Sequence, residues 1–419
     1  MPRPPELAEL DRLLAGRWET RILPGLERIR KALEALGHPE RAFPSVLVLG
    51  TNGKGSTAAF LASLLRAAGL RVGLYTSPHL VREEERILVD GQPIPSEQLL
   101  AWARALARFP ELSYFETLTA AAFGAFAEAQ VELAVVEAGL GGRWDATNAK
   151  DHEVVLLTNV GTDHQAWLGP TREHIAAEKA AAIRGRFGIL GQWDPALLPV
   201  IRAHAHPDTP LTPASAWAEV ALLDASSGLF PTVRAACCGH RFQVTLPLPG
   251  RFQRENYQLA LAGLAALVDC QLLSPPSLAA LQAGTTTTRW PGRLEQVTWR
   301  GKPLLLDGAH NREAVEALVD TLRHAGLSGK LNLIFSCLAD KPLGAMAALL
   351  RPLVRRITVV PLASPRARAL EELAAAFPGC QQASSVAAAL EAADPRVTTL
   401  VTGSLRLVGE VKAFLEQAP

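Results

Sequence analysis

The stretch that most constrains this chain is Val46-Leu47-Val48-Leu49-Gly50-Thr51-Asn52-Gly53-Lys54-Gly55-Ser56-Thr57. A short apolar run, 45–49, enters a glycine-rich turn that opens a helical pattern over 54–68, with Phe60, Leu61, Leu64 and Leu65 on one side. Gly50, Gly53 and Gly55 let backbone N–H groups close on an anion. The helix start adds its positive dipole end. Lys54 is placed to reach the outer phosphates of a nucleotide, and Ser56 or Thr57 to approach a bound Mg²⁺. The run departs from the common phosphate-loop pattern, because Val48 stands where its first glycine would be and Gly55 follows Lys54.

The rest of the chain carries the same alternation. Strands are predicted at 71–75, 133–137 and 154–159, and helices at 96–109, 115–129 and 171–183. Such β-α-β order implies a parallel sheet covered on both faces. Texture changes between about 190 and 250, where 231–246 reads as a peripheral hairpin. A helix over 252–268 and a polar tract, Thr285–Thr288, come next. A second unit follows, with strands at 303–307, 331–336, 357–361 and 398–402. The predicted class is α/β: a P-loop-type, mostly parallel sheet domain over 1–290 and a smaller, Rossmann-like C-terminal α/β domain over 291–419.

Composition removes several function classes. Lys plus Arg is 42 and Asp plus Glu 41, a net charge of +1; nucleic-acid and anionic-membrane binders normally carry a basic excess. Neither partner is expected. The start, Met1-Pro2-Arg3-Pro4-Pro5-Glu6, lacks an export-type apolar run, and no window resembles a membrane span. The five cysteines include no Cys-x-x-Cys, so a zinc ribbon or disulfide framework is not expected and a reducing cytoplasm fits.

Three loops fall at the carboxyl ends of predicted parallel strands, where α/β proteins place ligands. They are Thr76-Ser77-Pro78-His79-Leu80, Glu137 to Asn148, and Gly161-Thr162-Asp163-His164. Hard oxygen donors with an imidazole suit Mg²⁺ or Mn²⁺ better than zinc. Lys179 shares a helical stripe with Ile175 and Ile183, so it points toward the core. A desolvated lysine has a lowered pKa, and its free amine can capture CO₂ as a carbamate. The alternative is a snorkelling lysine whose stem covers apolar surface.

Taken together, Gly50 to Thr57, Thr76 to Leu80, Glu137 to Asn148, Asp163-His164, Glu178-Lys179-Ala180 and Asp307-Gly308-Ala309-His310-Asn311 resemble the folylpolyglutamate synthase/dihydrofolate synthase family of the Mur ligase superfamily. The resemblance runs from about residue 20 to 415. It implies that Asn52, Gly53, Lys54, Gly55 and Ser56 hold ATP phosphates, and that Asn256, Arg293, Asp307 and His310 also contact ATP. It implies two Mg²⁺ sites drawing on Ser77, Glu137, His164 and a carbamylated Lys179, with Lys54, Lys179 and His164 catalytic. A pterin-bearing substrate would lie against Pro24, Gly25, Leu26 and Glu27, against Ser113, Tyr114, Phe115 and Glu116, and against Trp144, Asp145 and Ala146. Departures are small: Ala181-Ala182-Ile183-Arg184 follows Lys179 where Gly-Ile-Ile-Lys is frequent, and Arg312 stands where a proline is frequent.

The activity implied is an ATP-dependent amide ligase, expected as a monomer. A carboxylate of a folate or of dihydropteroate attacks the γ-phosphate, and the amine of L-glutamate displaces phosphate from the acyl phosphate. Two other readings stand beside it. One is a Mur-type cell-wall amino-acid ligase, disfavoured by the folate-like Thr76 to Leu80. The other is a nucleotide-binding switch without ligase chemistry, against which the Asp307/His310 cluster argues.

Overall fold

The computed structural model describes residues 5–15, 17, 24–223 and 228–417. Met1 to Pro4, on which most of the reading of the N-terminus rests, lie outside them. Among the described residues, no helix is long and apolar enough to cross a membrane.

Eight strands form the first sheet: β1 (Ser45–Leu49), β2 (Val72–Tyr75), β3 (Ile87–Val89), β4 (Gln92–Pro93), β5 (Leu133–Glu137), β6 (Val154–Leu157), β7 (Phe187–Leu190) and β8 (Leu211–Pro213). Their order is β4-β3-β2-β5-β1-β6-β7-β8. All neighbours from β2 to β8 run parallel, and β3 and β4 add an antiparallel edge. The central strands are apolar throughout because both faces are covered. In β1, Leu47 and Leu49 face one cluster with Phe123 and Phe126, and Val46 and Val48 face another with Phe60 and Tyr257. That is the two-residue period of a strand applied to a sheet with two dry sides.

The region read as a peripheral hairpin is a three-stranded antiparallel sheet of β9 (Glu219–Leu222), β10 (Thr232–Cys237) and β11 (His240–Thr245). It is not peripheral. Val233, Ala235 and Phe242 share a cluster with the helix Gln253–Asp269, which lies against the first sheet. The polar tract Thr285–Thr288 ends the helix Leu278–Thr286 rather than starting a linker. Its hydroxyls turn back on their own helix, as in Thr285 Oγ1 to Leu281 O (2.7 Å) and Thr287 Oγ1 to Ala283 O (2.7 Å).

The third sheet comprises β12 (Glu295–Trp299), β13 (Lys302–Leu306), β14 (Leu331–Phe335), β15 (Val354–Val359), β16 (Gln381–Gln382) and β17 (Thr399–Thr402). Its order is β12-β13-β17-β14-β15-β16, parallel except for the β12–β13 hairpin. Leu305, Leu333, Phe335 and Leu400 face one side, and Leu304, Leu306, Ile334 and Val401 the other. The α/β class with a separate C-terminal α/β unit is therefore as expected. We propose the chain division at 290/291, between the helix Leu278–Thr286 and β12.

Candidate active site

The phosphate loop is shaped by close backbone approach. Gly50 has φ +142° and Gly53 φ +84°, and a Cβ at either would collide with Thr158 Oγ1 or Asn256 Oδ1 respectively. A Cβ on Gly55 would sit 2.8 Å from the Trp290 ring. The loop is pinned to the strand end of β6: Asn52 N donates to Asn159 Oδ1 (2.9 Å), and Thr158 Oγ1 donates to Asn52 O (2.6 Å). Behind it, Gln253 Nε2 donates to Ser56 Oγ (3.4 Å) and Asn256 Nδ2 to Gln253 Oε1 (2.9 Å). Lys54 rests on Thr51 O at 3.3 Å.

Parallel register puts Glu137 beside Val48, at the mouth of the loop. Its Oε2 accepts Ser77 N–H (3.1 Å). Burial pushes its carboxyl up, against the opposing pull of Lys54, the Ser77 N–H, Arg293 and Arg86. A buried carboxylate so placed, with a neighbouring hydroxyl and imidazole, is a hard donor set that fits a divalent cation. Burial lowers His164 to about 4; Asp163 opposes this, and the charges of Lys341, Lys54 and His310 add to it. Its ring is thus neutral and free to ligate at pH 7. Among the described residues, no group of three His, Cys, Asp or Glu forms a metal cluster; the expected ligand set holds only two such residues, with Ser77 and a modified Lys179 supplying the others.

Lys179 is 4% exposed, so the snorkelling alternative does not hold. Its Nζ donates to Gly50 O at 2.8 Å. Burial, then the charge of Lys54, lowers it to about 7, against the opposing Asp163 and Asp145. Keeping it charged there costs on the order of 5 kcal/mol, so the free amine is populated at neutral pH. The helix Arg172–Ala180 that carries it is capped by Thr171 and held to the acidic loop by Arg143 N to Glu178 O (2.9 Å). Lys179 Nζ on Gly50 O, Glu137 beside Val48 and Gly161 N–H on Thr51 Oγ1 (3.0 Å) bring the three segments to one loop, where the charge of Lys54 bears on Glu137, His164 and Lys179 alike.

From the second half, Asp307 is buried at the end of β13, its oxygens accepting N–H groups of Leu294 (3.0 Å) and Ala309 (2.9 Å). Burial raises its carboxyl, opposed first by Arg293. The Arg293 guanidinium lies beside Gly308, and its charge opposes the rise at both Glu137 and Asp307. His310 Nδ1 contacts Gly308 O (2.7 Å), and its Nε2 lies 3.7 Å from Asp163 Oδ2.

The substrate-side residues divide. Trp144 is 50% exposed beside the acidic loop, free to offer a ring face. Phe115 is packed under Gly139 and against Tyr75, with ring centroids 6.0 Å apart, and Tyr114 carries Arg86 over its ring at 5.3 Å. Pro24 and Glu27 are exposed and Gly25 turns the chain at φ +113°, whereas Leu26 is in the core and Ala146 is buried. Ser113 and Glu116 form a capping box for the helix Tyr114–Glu128, and Glu116 also pairs with Arg28 (3.1 Å). Asp145 accepts Thr147 N (3.0 Å), Thr147 Oγ1 (2.5 Å) and Leu140 N (2.7 Å), so both its oxygens organise its own loop.

Two family models match the chain: the Mur ligase middle domain over residues 48–264, and the Mur ligase, glutamate ligase domain, over 292–405. A dihydrofolate synthase/folylpolyglutamate synthase of Mycobacterium tuberculosis is 36% identical over 414 residues, covering 90% of this chain and 83% of that relative. The chain belongs to the folylpolyglutamate synthase/dihydrofolate synthase family of Mur ligases. Solved family structures superpose over nearly its whole length. E. coli FolC in complex with DHPP and ADP has a TM-score of 0.87 and 30% identity, covering 99% of this chain and 98% of that one. The bifunctional folylpolyglutamate synthase/dihydrofolate synthase of Yersinia pestis, complexed with AMPPNP and Mn ion, has a TM-score of 0.83 and 31% identity, at 99% and 98% coverage. The folate branch is thus favoured over the cell-wall alternative.

Sequence reasoning places Asp163 and Asn311 within motifs, and finds Asp340-Lys341 similar to a family pattern, but gives Asp163, Asn311 and Lys341 no role. Asn311 Nδ2 donates to Asn52 Oδ1 (3.0 Å) and Asp163 Oδ2 (3.3 Å), and Lys341 Nζ to Asp163 Oδ1 (2.8 Å). Asp163 was singled out only as the neighbour of His164; its position at a strand end was the available signal.

Proposed function

We propose that this chain is an ATP-dependent carboxylate–amine ligase that adds L-glutamate to tetrahydrofolate, to dihydropteroate or to both, forming ADP and phosphate. The observation that carries the reading is the convergence of separate segments on the phosphate loop: Lys179 Nζ on Gly50 O (2.8 Å), Glu137 beside Val48, Gly161 N–H on Thr51 Oγ1 (3.0 Å) and, from the second half, Asn311 Nδ2 on Asn52 Oδ1 (3.0 Å).

The glycine-loop N–H groups and Lys54 bind the triphosphate, and Asn256, Arg293, Asp307 and His310 complete the nucleotide contacts. The substrate carboxylate attacks the γ-phosphate in line and ADP leaves. Lys54 supplies positive charge where the transferring phosphoryl accumulates negative charge. The glutamate amine then attacks the acyl carbon and expels phosphate. Water must be excluded while the acyl phosphate lives, which closure of the two halves on the site would provide. Ser77, Glu137, His164 and a carbamylated Lys179 would hold Mg²⁺ in two sites, and the bound ion supplies charge neutralisation and orientation of the phosphates. The carbamate forms when neutral Nζ adds to CO₂ and releases a proton. Trp144, Tyr114 and Phe115 would offer the pterin its aromatic wall. The protein works as a cytoplasmic monomer.

Incubation with ATP, Mg²⁺, L-glutamate and either tetrahydrofolate or dihydropteroate, followed by chromatography, tests this. A glutamylated product with stoichiometric ADP is expected; no product with either acceptor sinks the assignment. ATP hydrolysis indifferent to folate and glutamate would instead indicate a nucleotide switch.

A further inference from the structure

The ligase reading needs groups from both halves in register, yet the apolar clusters named above hold each sheet largely to itself. Apolar contact across the halves is limited, with Leu80 and Leu229 packed on the second unit, and several of the polar contacts between them meet at one carboxylate. Asp163 lies on the loop after β6, with its side chain 13% exposed. Its Oδ1 accepts Lys341 Nζ (2.8 Å) and the backbone N–H of His164 (2.8 Å). Its Oδ2 accepts Asn311 Nδ2 (3.3 Å), with His310 Nε2 at 3.7 Å and His164 Nε2 at 3.9 Å.

Lys341 is 5% exposed and fixed from behind. Arg368 donates to Lys341 O (3.0 Å) and to Ala339 O, which shapes the turn that presents the ammonium. The adjacent Asp340 is 3.6 Å from Lys341 but is also engaged by Arg366 (3.1 Å). A second strut runs parallel to the first. Thr162 gives its N–H (3.1 Å) and Oγ1 (2.8 Å) to Glu313 Oε1, in the first turn of the helix Arg312–His324. Asn311 caps that helix through Ala314 N (2.9 Å) and touches Asn52 of the phosphate loop. Thus the loop at 162–163 grips the second half at two places, Glu313 and Lys341.

We propose that Asp163 and Lys341 are positioning residues for the ligase reaction, a docking latch that sets the Asp307–Asn311 loop over the phosphate loop. A buried ion pair adds little net stability, since desolvation offsets its attraction, but its geometry is demanding. Its effect therefore falls on alignment. Misplacement of reacting groups by about 1 Å costs on the order of 100-fold in rate.

The test rests on the ligase reading for one arm and not for the other. In the kinetic arm, Lys341→Met, Asp163→Asn and the double variant are compared with wild type, each checked for fold by circular dichroism. Lys341→Met is the variant best able to keep the fold, because it replaces the stem in kind and leaves Asp163 its other donors. Each single change should lower kcat about 100-fold with KM for ATP within about threefold, and the double variant should match the singles, not the ~10⁴-fold of independent effects. Lys341→Arg should recover part of the rate. Additive losses, or single variants within about threefold of wild type, overturn the latch. In the scattering arm, the ADP-bound wild type should have a smaller radius of gyration than ADP-bound Lys341→Met; identical profiles overturn it. If the wild type forms no glutamylated product, the ligase reading fails and scattering alone decides the latch.

Discussion

A single buried amine illustrates how much chemistry one position can carry. Lys179 lies within hydrogen-bond reach of Gly50 O and its basicity is lowered to about 7. Replacing it with alanine should cut turnover by at least ~100-fold, with partial rescue by a short carboxylic acid; near wild-type turnover would remove the carbamate from the mechanism. The direction of this lysine was legible because its stripe-mates Ile175 and Ile183 are apolar and buried. Asp163 was not, because Lys341, the donor that defines it, is 178 residues away in sequence. His152 gives a pH prediction. It lies between Ser45 Oγ (2.8 Å) and Thr147 O (2.9 Å), and burial, with the charge of Lys150, lowers it to about 3. Between pH 6.5 and 3 the unfolded chain binds this proton and the folded chain does not, so stability falls as pH falls through that window. Thermal melts from pH 7 to 4 should show the loss, and His152→Gln should flatten it.

Capping and close packing decide what the elements tolerate. Ser113 begins the helix Tyr114–Glu128, so Ser113→Ala should cost about 1 kcal/mol of stability while KM for the folate stays within about twofold. A large rise in KM without destabilisation would return Ser113 to the substrate wall. Gly53→Ala must both hold φ +84° and displace Asn256. Calorimetric titration should show ATP binding at least tenfold weaker, on the order of 1.4 kcal/mol. Long apolar runs and glycine turns made β1, β2, β5 and β6 readable from sequence. The short β3, β4, β8 and β9 were not, since two to four residues give a two-residue period too little length to declare itself. Thr285–Thr288 reads in the sequence only as a polar tract; its hydroxyls are bonded back to helix carbonyls.

At the scale of the whole molecule, two α/β units with largely separate cores meet through polar groups and a small apolar contact at Leu80 and Leu229. Scanning calorimetry of the free protein should therefore show two overlapping transitions. A nonhydrolysable ATP analogue with Mg²⁺ at 100 times its Kd should raise stability by about 2.7 kcal/mol and draw the transitions together; Asp307→Ala should weaken that effect. An unchanged melt with saturating nucleotide would contradict a site shared by both units. The class and the arrangement of crevice loops were legible because parallel strands deliver their carboxyl ends to one edge. How the units meet was not, because contacts such as Asn52–Asn311 depend on a rigid-body placement that no local pattern encodes.

The sheet of β9 to β11 has a reach beyond its size. Arg254 donates to Val220 O (3.1 Å), Gln258 to Ala218 O (2.8 Å) and Cys237 Sγ to Leu261 O (3.5 Å), so the helix that bears Gln253 and Asn256 is bolted to it along most of its length. The floor of the proposed triphosphate site is mounted on a platform to which no part in the chemistry is assigned. Wear on that platform, or a compound wedged into it, would surface as poor nucleotide handling in a protein that otherwise folds and looks intact.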